Sequence, residues 1–267
     1  MATKTTKKKN TGNKCKSKGR RKTAKESRIS VIITAIAVIL LNVLVLTSIV
    51  HYARTPKMYD FGKERSYGID VSSHNGKIDW EKVSKKVDFA FIRVGCRGYG
   101  DGNIFLDEKA KYNMKQAQKY GVPYGVYIYS QAITAKEAEE EAKFLIRHIR
   151  GYNVELPLVF DFEYAYSGSK PVGRLAHANL TEEERTYMAK AFCKTVKRAG
   201  YMPALYASSY IYKSQIKPKN LPKGTVIWVA DYNDSVTYDG SYDIWQFSES
   251  GKVDGISTAV DTDYWYQ

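Results

Sequence analysis

Asp161 and Glu163 close the run Leu156-Pro-Leu-Val-Phe-Asp-Phe-Glu163, two acids spaced i, i+2 at the end of an apolar stretch. The run reads as a buried strand, and strand side chains alternate. Both carboxyls therefore project from one face, and Phe160 and Phe162 from the other. Two acids in a low-dielectric site repel, which raises at least one pKa and keeps a proton available near neutrality. Hydrolysis of a glycosidic bond needs such a pair. One carboxyl protonates the leaving oxygen, and another manages the developing oxocarbenium charge. The plainer alternative is a solvated pair capping the next helix, and the depletion of Asp and Glu from strands weighs against it.

Eight strands are predicted to position these acids: Tyr67–Ser72, Asp88–Gly95, Pro123–Ser130, Leu156–Glu163, Met202–Ala207, Thr225–Tyr232, Tyr242–Ser248 and Val260–Trp265. Helices are expected over Asp79–Lys86, Leu106–Tyr120 and Ala135–Arg150, and from the capping box Thr181/Glu184 to Ala199, which Gly200 ends. Repeated βα units predict a parallel sheet. Eight strands in about 200 residues predict an α/β fold, an irregular TIM-like (β/α) barrel with roughly five helices. The last three strands lack full helices between them. Such barrels carry their chemistry at the C-terminal ends of the strands. Asp161 and Glu163 obey that rule, Asp70 nears the end of the first strand, and Asp261 sits in the last. Asp70 alternates with Ile69 and Val71, so it points inward. Arg93 and Tyr127 fall on inward positions of the second and third strands, Arg93 serving either as structural counter-charge or as substrate contact.

Charge separates this part from the N-terminus. Residues 1–28 hold twelve Lys and Arg against one acid, Glu26, and so carry +11 of the formal +14. The folded part is nearly neutral, which removes support for nucleic-acid binding. The Lys-, Ser- and Thr-rich tail cannot bury a core and is expected to be disordered. Residues 29–50 contain no charge, and as a helix they would span ~33 Å, enough to cross a bilayer. The run exceeds the usual h-region of a cleaved signal and ends without a good cleavage site, so an anchor is expected. The basic tail then stays cytoplasmic and the C-terminal part lies outside. Residues 51–65 read as a stalk of at most ~50 Å, joining a single-pass span to a domain over 66–267. Cys15, Cys96 and Cys193 form no disulfide framework, and the four histidines show no ligand spacing, so neither a metal nor another cofactor is expected.

Gly68-Ile-Asp-Val-Ser-Ser-His-Asn-Gly76, Ile78-Asp-Trp80, Phe91-Ile-Arg-Val94, Gly125-Val-Tyr127, the acid-bearing run, Ile227-Trp-Val-Ala-Asp-Tyr232, Ile244-Trp-Gln-Phe247 and Val260-Asp-Thr-Asp-Tyr264 follow one another in order. Together, over Tyr67–Trp265, they resemble glycoside hydrolase family 25, the Chalaropsis-type lysozymes. The resemblance implies a barrel and cleavage of the β-1,4 bond between N-acetylmuramic acid and N-acetylglucosamine in peptidoglycan strands. It also implies Glu163 as proton donor, Asp161 as its partner, Asp70 and Asp261 as supporting aspartates, and Tyr127 as an active-site tyrosine. Departures from the family pattern are Ile128 for His, Tyr129 for Phe, and Asp263 for a common Asn. Tyr129, Trp228, Tyr232, Trp245 and Gln246 are candidate substrate contacts near the mouth, aromatic faces for sugar rings and an amide for acetamido groups. Barrel core is the alternative place for the tryptophans.

Sequence spacing leaves the carboxyl separation open, and with it retaining, inverting or substrate-assisted chemistry. A chitinase-like hydrolase also ends its fourth strand in D-x-E, but needs upstream aspartates where this chain has Leu156 and Val159. A catalytically silent wall-binding module is the non-enzymatic alternative, against which the intact acids argue.

Overall fold

The computed structural model describes Thr3 and residues 24–53 and 57–267. The chain divides into two units, residues 1–53 and 54–267. In the first, α1 (Ala24–Ala53) runs beyond both ends of the apolar stretch. Its segment Arg28–Leu46 is exposed throughout, with a mean hydropathy of 3.0, and is long and apolar enough to cross a membrane. The expected disordered tail otherwise lies outside the described residues, apart from Thr3, as do stalk residues 54–56.

The second unit begins with β1 (Arg65–Val71), α2 (Trp80–Val83), β2 (Phe89–Arg97), β3 (Ile104–Leu106), α3 (Ala110–Lys119), β4 (Tyr124–Ser130) and α4 (Ala135–His148). It continues with β5 (Leu158–Phe162), a hairpin of β6 (Ala165–Ser167) and β7 (Lys170–Val172), α5 (Gly173–His177) and α6 (Glu182–Arg198). It ends with β8 (Pro203–Ser208), α7 (Ser209–Ser214), β9 (Val226–Ala230), β10 (Ile244–Gly251) and β11 (Val260–Tyr266). Eight strands close a barrel in the order β1-β11-β10-β9-β8-β5-β4-β2, with β2 pairing back to β1. All eight are the expected strands. Helices α5 and α7, shorter than two turns, carry no periodic pattern that would announce them.

Strand β11 is antiparallel to both of its neighbours, whereas the other barrel pairs are parallel. A barrel closed this way presents the start of β11 at the rim where the other strands end. That reversal explains why Asp261, the second residue of its strand, obeys the same-rim rule.

Alternation divides the core in two. Ile69, Ile92, Val126, Phe160 and Phe162 face outward, under α3, α4 and α6. Phe89, Phe91, Val159, Trp228 and Trp265 fill the barrel interior. Phe61 plugs the lower end, with its ring 5.4 Å from Trp265 and 5.6 Å from Phe89, so the inner core extends into residues expected to be stalk. No helix covers β10 and β11 among the described residues. There the outward rings of Trp245, Phe247, Tyr264 and Tyr67 cover one another, Phe247 stacked on Tyr264 at 4.4 Å.

The interior is filled so closely that Gly68 is obligatory. A Cβ there would lie 2.3 Å from the buried Phe89 ring. Gly68→Ala should therefore destabilise the barrel by about 1–3 kcal/mol, read as a lower urea midpoint.

Candidate active site

The upper rim opens into a cleft of about 830 Å³, and the acids line it. Asp161 is the fourth residue of β5 and points inward beside Val159, while Phe160 and Phe162 pack outward, Phe160 against Phe192 of α6 at 4.9 Å. Glu163 follows at the strand end, where the Gln131 amide donates to its backbone oxygen at 2.9 Å. Asp70 and Asp261 are direct cross-strand partners on β1 and β11. Four acids from three strands thus meet at one mouth.

Burial raises every one of them. Asp161 sits well above the usual carboxylate range, through desolvation and then the charge of Glu163. Desolvation, followed by Asp261, pushes Glu163 up to about 7, with Arg93 opposing the shift. Asp261 reaches about 6 through desolvation and Glu249. Asp70 is raised by desolvation, then by Asp261 and Asp263, against a hydrogen bond from Gln246. A proton near neutrality is therefore held where the Asp161/Glu163 spacing implied one.

Arg93, Tyr127, Tyr129, Trp228, Tyr232 and Gln246 also line the cleft. Arg93 donates from Nε to Asp107 at 2.9 Å and from Nη2 to Ser73 at 3.1 Å, so protein partners orient the cation that opposes the acids. Tyr127 and Tyr129 share the inner face of β4, with Ile128 in the outer core between them. Trp228 belongs to both readings, at once barrel core and cleft floor. Gln246 is turned to a defined orientation. Tyr206 and Tyr232 donate to its Oε1 at 2.8 and 2.7 Å, leaving Nε2 to donate to Asp70 at 2.7 Å.

Trp245 corrects the expectation. It is one residue from Gln246, so alternation puts it on the outer face, among Phe247 and Tyr264. Its indole donates to the Asp231 backbone oxygen at 2.6 Å. Asp231 in turn accepts from Ser209 and Thr237 and holds the turn that carries Tyr232. Tyr206 and Asp107 were not foreseen. The alternation of Leu205, Tyr206 and Ala207 on β8 could have exposed Tyr206, but Asp107 lies in a turn after β3 and carries no local signal.

Residues 164–179, which directly follow the acids, form the β6–β7 hairpin and α5. Arg174 pins them by pairing with Glu137 at 2.7 Å, and its backbone N–H donates to Tyr99. Gly173 (φ 82°) is required at this junction, since a Cβ would lie 2.7 Å from the Tyr99 Cβ.

Residues 69–256 match the profile of Glycosyl hydrolases family 25. The chain belongs to that family. Lysozyme M1 of Streptomyces globisporus is 25% identical to it over 203 residues, 73% of this chain and 65% of that protein. The modular autolysin LytC from Streptococcus pneumoniae has a similar fold, with a TM-score of 0.64 and 29% identity over 76% of this chain and 47% of its own. This chain thus spans about half the length of that autolysin, which has also been solved with a synthetic peptidoglycan ligand. A family 25 glycosyl hydrolase from Bacillus anthracis matches with a TM-score of 0.60 at 25% identity, over 76% of this chain and 89% of that one.

The acids of this family 25 site oppose folding. A carboxyl whose pKa is raised in the fold stabilises below its unfolded value and loses that contribution as pH rises through the folded one. Asp161→Asn should therefore raise Tm at pH 7 by about 2–4 °C, and much less at pH 4, measured by calorimetry.

Proposed function

We propose that this chain is a membrane-anchored muramidase that hydrolyses the β-1,4 bond between N-acetylmuramic acid and N-acetylglucosamine in peptidoglycan. The observation that carries the reading is the meeting of Asp70, Asp161, Glu163 and Asp261 in one cleft of a family 25 barrel. Glu163, held protonated to about pH 7, is the general acid towards the glycosidic oxygen. Asp161 Oδ1 is a buried acceptor without a partner among the described residues. It suits the N–H of the substrate's own acetamido group, whose carbonyl oxygen would then act as nucleophile with Asp161 orienting it. Asp70, held by Gln246, and Asp261 stabilise the positive charge that develops on the sugar ring. Tyr127 and Arg93 bound the site on the β2 and β4 side, and Tyr129, Trp228 and Tyr232 offer ring faces to the sugars.

Glu163→Gln keeps the shape and removes the titrating proton, so wall lysis should fall at least about a hundredfold while the fold is retained. In the unmodified protein, kcat/KM should fall above about pH 7, as Glu163 loses its proton, and below about pH 6, as Asp261 gains one. Digestion followed by borohydride reduction and acid hydrolysis should yield muramitol. Glucosaminitol as the main product would replace the muramidase reading with a glucosaminidase, and equal release of reducing ends from chitin would favour the chitinase-like one.

In this reading the anchor is α1, whose length and hydropathy support a span, with the basic N-terminus in the cytoplasm and the barrel on the wall side, as the positive-inside rule favours. Protease added to wall-stripped cells should remove the barrel and leave the Lys-rich tail protected. A mature protein that starts after residue 50 and is free in the medium would make α1 a cleaved signal instead.

A further inference from the structure

The inward positions of β1, β11 and β10 lie in layers. Lowest is Ser66–Trp265–Ile244, next Gly68–Asp263–Gln246, and at the rim Asp70–Asp261. Asp263 is thus a fifth carboxyl, one layer beneath two acids of the cleft, with no exposed surface. Its Oδ1 accepts from the Trp228 indole at 2.9 Å, and its Oδ2 is buried without a hydrogen-bond partner among the described residues. The titratable groups that act on it are Asp261 on its own strand, Asp70 on β1 and, from the outer face of β1, Tyr67, while β10 and β9 offer Gln246 and Trp228. Among the described residues no cation pairs with it. An isolated ionised carboxylate in such surroundings is far more costly than a neutral acid.

We propose that Asp263 is a positioning residue that works as an un-ionised carboxylic acid, its carbonyl oxygen anchoring Trp228 and its proton resting on Oδ2. The anchor bears on the reaction through contacts already described. Trp228 meets Phe91 at 4.5 Å and the Tyr206 ring edge-on at 4.9 Å. Tyr206 donates to Gln246, and Gln246 donates to Asp70. A tilted indole would move Tyr206, free the amide to rotate, and release Asp70. Burial and the charge of Asp261 both raise the Asp263 pKa well above the ordinary value, in agreement with this assignment. An amide of the same shape supplies the same acceptor, so the carboxyl is needed for its oxygen and not for its charge.

The role in the reaction rests on the proposed muramidase activity; the protonation state does not, and the two are read separately. In full-length protein in detergent at pH 7, the infrared difference between wild type and Asp263→Asn should contain the carbonyl stretch of an un-ionised acid. The melting temperatures of the two should be close at pH 4. The asparagine protein should gain on the wild type as pH rises to 7, because a raised carboxyl loses its stabilising contribution over that range. Absence of the band together with a flat gap would overturn the neutral-acid assignment. For the positioning role, Asp263→Asn should retain turnover on cell walls within about threefold. Asp263→Ala should lower turnover about tenfold, with little change in the wall concentration giving half-maximal rate. Should Asp263→Ala not fold, Asp263→Asn decides alone, since a loss as large as that expected of Glu163→Gln would mean that the ionised form is required.

Discussion

Five carboxyl groups, Asp70, Asp161, Glu163, Asp261 and Asp263, crowd the upper half of one narrow barrel, and Arg93 is the cation that opposes the charge on two of them, Asp161 and Glu163. Mutual repulsion in a medium that screens poorly prevents all of them from ionising together. Much else in the molecule responds to that constraint. Arg93 is not left free to swing away, because Asp107 and Ser73 hold it. Asp70 keeps one oxygen bonded to an amide that two tyrosine hydroxyls have turned to face it. The proton that cannot leave Glu163 until about pH 7 is the one glycoside hydrolysis uses.

A cluster so unfavourable to folding needs a scaffold that gains its stability elsewhere. The lower half of the barrel supplies it, with Phe89, Phe91, Trp228 and Trp265 interlocked edge-to-face and stacked, and Phe61 closing the base. Buried aromatic rings bring large apolar areas out of water and lose little conformational entropy. They are also rigid. That rigidity reaches the chemistry through Trp228, which is core on one side and cleft floor on the other.

The departures from an ideal barrel all serve the mouth. Reversing β11 brings Asp261 to the rim opposite Asp70 without a crossover helix. The uncovered strands that result are shielded by their own outward rings, which is where Trp245 is used. On the opposite wall, Arg174 and Gly173 clamp the β6–β7 hairpin against the loop that carries Tyr99, so the longest connection in the unit is a fixed wall.

Period-two alternation was legible from the amino-acid order alone, and it determined the barrel strands and the inward sense of Asp70, Asp161, Arg93 and Tyr127. An uncharged run of 22 residues likewise determined one helix able to span a bilayer. Such properties are local, set by which neighbours along the chain are apolar. The direction of β11, the turning of Gln246 by Tyr206 and Tyr232, the anchoring of Arg93 by Asp107 and the burial of Asp263 were decided only in the tertiary structure. Each depends on partners 14 to 40 residues apart in the chain or on a strand met only when the barrel closes. Trp245 marks the boundary between the two. Its type suited a sugar site and its position along the chain was right, but one residue of register carried it to the far side of the sheet.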